Sequence, residues 1–81
     1  MDKSPSTRTH DLGLAAALVS CGFELLGANR EMKGGRVYFM FTKTEELGRA
    51  INDYWTDTLD VKARTFFDNT KMLKSRIYAD E

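Results

Sequence analysis

The apolar positions of this chain change their spacing several times, and each change marks an element. Leu12, Ala15, Ala16 and Val19 recur at helical intervals, with Leu14 and Leu18 widening the stripe around the helix. Thr9 or Asp11 can cap this helix by accepting hydrogen bonds from its free amides, and Gly22 can end it with a left-handed residue. So apolar a helix is the one expected in the core. Phe23 to Met32 and Arg36 to Thr42 read as two strands, and Lys33-Gly34-Gly35 between them offers the positive φ values of a tight hairpin. In the second strand Val37, Phe39 and Phe41 share one face, while Arg36, Tyr38, Met40 and Thr42 share the other. A hairpin closed around Gly34 sets Leu26 and Ala28 with the first face and gathers Phe23, Leu25, Tyr38 and Met40 on the second. Both faces are then apolar, which predicts helices over both or a partner over one.

Beyond Thr42 the helical period returns. Thr42-Lys43-Thr44-Glu45 has the spacing of a capping box. Leu47, Ala50, Ile51, Tyr54 and Trp55 follow as one stripe, and Thr56 to Thr58 interrupt it. Asp60 can cap a last helix in which Ala63, Phe66, Thr70, Leu73 and Ile77 line one face. Lys71, Lys74 and Arg76 sit toward its C-terminus, where the helix dipole favours positive charge. Met1 to Arg8 is polar, carries the only proline, and has no apolar period, so it reads as a flexible tail. The expected architecture is a small single α+β domain over residues 9–81, helix–β-hairpin–helix–helix, behind a tail at residues 1–8.

Composition narrows the means of stabilisation. With 81 residues the chain lies near the lower limit for a self-sufficient core. Cys21 is alone and cannot form an internal disulfide, and a single histidine gives no zinc framework. Stability must come from packing, helped by self-association. An apolar fraction of 42% argues against disorder. A lone thiol suits a reducing cytoplasm. Leu18-Val19-Ser20-Cys21 has the form of a lipoprotein cleavage box. However, Asp2 and Asp11 offset Lys3 and Arg8, so the positive start of an export signal is missing. No stretch approaches the roughly 20 apolar residues that span a membrane. The expected location is cytoplasmic.

Charge is balanced overall but unevenly spread: −4 over residues 44–60 and +4 over residues 61–78. Two neighbouring helices attracting one another explain this without any function. A basic face for nucleic acid beside an acidic face for a protein is the functional reading.

Candidate chemistry is sparse. Cys21 and His10 are the only nucleophile and base of the usual kind. On one helix, a separation of eleven residues at 1.5 Å each is about 16 Å, far beyond contact. Cys21 is better read as a small buried apolar group. Glu45 and Glu46 suit a helix first turn. Asp53 and Asp57 stand one turn apart with no further metal ligand beside them. Gly34-Gly35 lacks the lysine, threonine and helix of a phosphate loop. No catalytic residue, cofactor or metal is expected, and the chain is read as not an enzyme. Lys33 to Phe41 shares some character with the aromatic strand on which RNA-recognition sheets stack bases. Arg36 and Val37, however, stand where that pattern takes a small residue and an aromatic, and the flanking strands are missing.

Several stretches together resemble an uncharacterised family of short bacterial and phage proteins classed as a domain of unknown function. They are Asp11 to Ala16, Gly22 to Gly27, Arg36 to Phe41, Asp53 to Trp55, Val61 to Phe66 and Leu73 to Tyr78. The resemblance covers nearly all of the chain after the tail. It implies a compact cytoplasmic domain in a phage or mobile-element context, and brings no activity or site residues.

The function expected is a non-enzymatic interaction module that binds a protein partner or itself; a phage modulator of a host enzyme would fit. A homodimer through the second hairpin face would bury Phe23, Leu25, Tyr38 and Met40. The candidate partner-binding residues are Arg36, Tyr38, Lys62, Arg64, Lys71, Lys74 and Arg76. The alternative is a nucleic-acid-binding accessory protein that uses the same basic helix and the hairpin.

Overall fold

A computed structural model describes residues 5–32 and 35–79. In chain order the elements are β1 (Ser6–Thr9), α1 (Leu12–Ser20), β2 (Leu25–Arg30), β3 (Val37–Thr42), α2 (Glu45–Trp55) and α3 (Ala63–Ala79). The three strands form one antiparallel sheet in the order β1-β3-β2. The α+β class and the helix–hairpin–helix–helix order hold, with one strand added in front.

That strand corrects the reading of residues 1–8 as a tail. Ser6 to Thr9 pair with Thr42 to Phe39, residue for residue. Thr7 and Thr9 are half-buried and alternate with exposed Ser6 and Arg8. The segment is too short and polar to announce itself; β3 recruits it by offering unpaired main-chain groups. Residues 1–4 lie outside the described residues. Because β1 and β2 both run antiparallel to β3, they are parallel to one another, and α1 is the crossover of a split βαβ unit.

α1 behaves as its sequence requires. Asp11 accepts a hydrogen bond from the Leu14 amide at 2.8 Å, and Gly22 closes the helix at φ 99°. The Phe23 amide returns to the Leu18 carbonyl at 3.1 Å. Leu14 to Leu18 are buried without interruption. With Phe39, Phe41, Leu47, Ala50 and Leu73 they make up the core. α1 packs against both α2 and α3, which barely meet one another. Among the described residues no ion pair joins α2 to α3. The opposite charges of residues 44–60 and 61–78 are therefore not joined in direct pairs between these helices.

The hairpin departs from expectation in register. Leu25 pairs with Phe41 and Gly27 with Met40, so Leu26 is an extra residue in a bulge. A one-residue shift moves side chains to the other face. Leu25 therefore turns toward the core with Phe41, and Leu26 stands 48% exposed. Phe23 also packs on the core. The second face keeps only Tyr38 and Met40 of the four apolar residues expected there, which removes the stated basis for a dimer through it. The Lys33-Gly34 turn lies outside the described residues. Around it, the Glu31 amide reaches the Arg36 carbonyl at 3.2 Å and the Gly35 amide the Met32 carbonyl at 2.7 Å.

Two helix starts also differ from the sequence reading. The cap of α2 is Thr44, whose hydroxyl accepts from the Leu47 amide at 3.0 Å, while Thr42 belongs to β3. α3 begins at Ala63, three residues after Asp60. Within α3 Leu73 is buried, and Phe66, Thr70 and Ile77 half-buried, on the expected face, whereas Ala63 is exposed.

Candidate interaction surfaces

The sheet face away from the core is small and already partly occupied. The Arg8 guanidinium lies 4.6 Å from the centre of the Tyr38 ring, a cation–π contact. The His10 ring meets Tyr38 edge-on at 6.3 Å. His10 also holds the loop after β1 to the hairpin, with Nδ1 2.9 Å from the Val37 carbonyl and Nε2 3.2 Å from Glu31. An incoming base would have to displace Arg8 to stack on that side of Tyr38. Both strands beside β3 are now accounted for, but among the described residues no fourth strand completes an RNA-recognition sheet.

Nucleophile and acid–base candidates are scattered. Cys21 ends α1 and is exposed rather than buried, because the helix needs its amide, not its side chain, for closure. Partial burial pushes its thiol above the ordinary pKa, which disfavours the reactive thiolate. His10 precedes the same helix, so the two lie at opposite ends of α1. A cleft of about 330 Å³ opens between α1, α2 and α3, lined by Ala17, Tyr54, Asp57, Leu59, Val61 and Phe66. Desolvation, and then the Asp11 carboxylate, raise the pKa of Tyr54. Its phenol is held in the neutral form. Among the described residues, no three side chains of metal-binding type come together.

α3 presents a different picture. Among its described side chains, Leu73 is the one completely buried. An Asn69 amide donates to the Ser20 hydroxyl at 2.9 Å and the Ser20 hydroxyl to the Ala16 carbonyl at 2.7 Å, locking α3 to α1. At 3.6 residues per turn, Arg64, Phe67, Lys71, Lys74 and Tyr78 fall within roughly 80° of one another. Phe67 is 61% and Tyr78 66% exposed. Lys71 extends to 5.3 Å from the Phe67 ring centre, and Arg64 pairs loosely with Asp68 at 3.9 Å. This outer stripe therefore joins two exposed rings and three cations over about 21 Å of helix.

The structure thus divides the seven residues singled out from sequence. Arg64, Lys71 and Lys74 share the outer stripe. Lys62 precedes the helix, and Arg76 lies well around it. Tyr38 belongs to the sheet face beyond the core, and Arg36 is exposed at the hairpin end of β3. They are not one site. The sequence reading missed Phe67 and Tyr78, although Phe67-Lys71-Lys74-Tyr78 shows the i, i+4, i+7, i+11 spacing of one helix face.

A second groove of about 240 Å³ runs beside β1. It is lined by Thr7, Arg8 and Thr9 with Phe41 above, and by Ile51 and Trp55 of α2. Trp55 was expected in the core stripe but is 61% exposed. The groove could not be anticipated without β1. Among the described residues, no helix is long and apolar enough to cross a membrane.

No curated protein and no solved structure matches the chain. A family model covers residues 6–79, from the first residue of β1 to the last of α3. The chain therefore belongs to the family described as domain of unknown function DUF5659.

Proposed function

We propose that this chain is a non-enzymatic interaction module that binds a protein partner through the outer face of α3. The carrying observation is the stripe of Phe67, Lys71, Lys74 and Tyr78, two exposed rings flanking two cations on a helix anchored elsewhere by Leu73. Nothing in the packing of the domain needs aromatic side chains there. Aromatic residues beside cations are the composition of energetically central interface positions. The charge favours an acidic partner surface, and the rings would supply the burial that outlasts salt. The raised thiol pKa of Cys21 makes it a poor nucleophile, in keeping with the non-enzymatic part of the reading.

The alternative is nucleic acid. The same cations could meet phosphates, and the rings could take stacked bases. Zero net charge weighs against it. The test compares the wild-type chain with Phe67→Ala/Tyr78→Ala and with Lys71→Glu/Lys74→Glu in crosslinking capture from lysate, with and without nuclease. A protein partner is lost with both double variants, resists nuclease, and depends only moderately on salt. Capture unchanged in both variants refutes the assignment to α3. Loss on nuclease treatment moves the reading to nucleic acid.

A further inference from the structure

The two edges of the sheet are finished differently. β2 carries a bulge at Leu25/Gly27, one of the devices that disable an edge for further pairing. β1 has no bulge and no lysine, and its neighbouring proline, Pro5, lies just outside it. The Lys43 amide donates to the Pro5 carbonyl at 2.9 Å. In an antiparallel ladder that bond fixes the alternation. Pro5, Thr7 and Thr9 turn their main-chain groups toward β3, and Ser6 and Arg8 turn theirs outward. The missing amide hydrogen of Pro5 is thus on the β3 side and costs the free edge nothing. Among the described residues, no partner meets the outward amides and carbonyls of Ser6 and Arg8.

The flank of α2 beside this edge is neutral. Around the helix, at 100° per residue, Ile51 and Trp55 lead from the core toward the groove, followed by Gly48 and Asn52. The nearest acid on that side, Glu45, already faces Arg49 at 3.9 Å. Glu46 and Asp53 lie around the other side of the helix. A Cβ atom added at Gly48 would meet nothing within 4 Å.

We propose that β1 pairs with β1 of a second copy of this chain, antiparallel and centred on Thr7. The two three-stranded sheets then become one sheet of six strands. In this register Ser6 faces Arg8 of the second copy and Arg8 faces Ser6, so the four outward amides and carbonyls on each side are matched and no two arginines stand opposed. Thr7 meets Thr7 in a non-hydrogen-bonded pair, on the helix side of the sheet. The same two-fold axis lays the two α2 helices antiparallel, which places Trp55 of each copy toward the bare Gly48 of the other. Zero net charge leaves no long-range repulsion to overcome. The second copy is favoured over an unrelated strand because both halves of the contact, the strand register and the Gly48–Trp55 spacing, complement themselves. The proposal does not depend on the α3 reading.

The experiment is light scattering over a concentration series up to millimolar, with cysteine crosslinking in a Cys21→Ser background. A dimer is expected, linked efficiently through Thr7→Cys, where non-hydrogen-bonded Cα atoms approach within about 4.5 Å. Ser6→Cys and Arg8→Cys, which face one another and not themselves, should each link poorly. Arg8→Pro removes the outward donor along with the contact between Arg8 and Tyr38, leaves the β1–β3 ladder intact, and should weaken the dimer at least tenfold relative to Arg8→Ala, with the far-ultraviolet circular dichroism unchanged. Gly48→Lys favours the helix, so it cannot act by unfolding α2, and should weaken the dimer similarly. A monomer at millimolar concentration overturns the proposal, as does a dimer indifferent to both Arg8→Pro and Gly48→Lys. Equal crosslinking from positions 6, 7 and 8 overturns the register.

Discussion

Gly13 offers a sharp test of how α1 and α2 fit. A methyl group there would lie 2.5 Å from the Tyr54 hydroxyl oxygen, 3.3 Å from an Asp11 carboxylate oxygen and 3.7 Å from the Tyr54 ring carbon bearing the hydroxyl. The first distance is nearly an ångström too short. The Asp11 oxygen can yield only slightly, since it caps the Leu14 amide. Relieving the contact means moving the Tyr54 ring, and overpacking of this kind costs about 1–3 kcal/mol. Against it, replacing a helical glycine by alanine gains about 0.8–1.0 kcal/mol. Gly13→Ala should therefore be neutral to destabilising, by up to about 2 kcal/mol. In a Tyr54→Phe background the offending oxygen is gone, and only the 3.3 Å contact with Asp11 and the 3.7 Å contact with the ring remain. There the same substitution should stabilise by about 0.5–1 kcal/mol. Urea unfolding of the four proteins gives the coupling directly, expected at about 1–3 kcal/mol. Thermal midpoints should follow at about 4–8 °C per kcal/mol for a domain of this size. If Gly13→Ala stabilises the wild type as much as it does the Tyr54→Phe protein, the close approach of Tyr54 to α1 is wrong.

Leu73→Ala should cost about 2–5 kcal/mol, because it empties a fully buried position of α3; chemical denaturation measures it, and amide exchange should rise first in α3. Asn69→Ala removes the bond that ties α3 to the Ser20 hydroxyl and should cost about 0.5–1.5 kcal/mol, with little further loss when Ser20→Ala is added. Asp11→Ala should cost about 1 kcal/mol through loss of the α1 cap, read as a shift in urea midpoint at constant slope. The pKa of Tyr54 lies above its ordinary value of 10.0, through desolvation and then Asp11. The fold thus favours the neutral phenol, and its contribution is full below pH 10 and fades as pH rises through the raised pKa. Tyrosinate absorbance should show a late-titrating component that Tyr54→Phe abolishes; an unchanged profile would contradict this environment.

The sequence by itself determined the parts whose signal is local. α1 follows from an apolar run bounded by Asp11 and Gly22, because caps and left-handed glycines act within a few residues. The hairpin, the end of α2 at Thr56 and the inward face of α3 follow from period and turn chemistry in the same way. What depends on a distant neighbour was not legible. Ser6 to Thr9 becomes a strand because β3 offers it an edge, and four polar residues carry no period of their own. The Leu25/Gly27 bulge is a property of two paired strands, and it alone decides that Leu25 faces the core and Leu26 the solvent. Trp55 falls on the helical stripe of α2, yet it is exposed while Leu47 and Ala50 on the same stripe are buried. The basic residues of 61–78 were visible, but their division between faces required the helix to be anchored by Leu73. Local propensity names the elements of this domain; which faces are covered, and which edges remain free, is settled only when they pack.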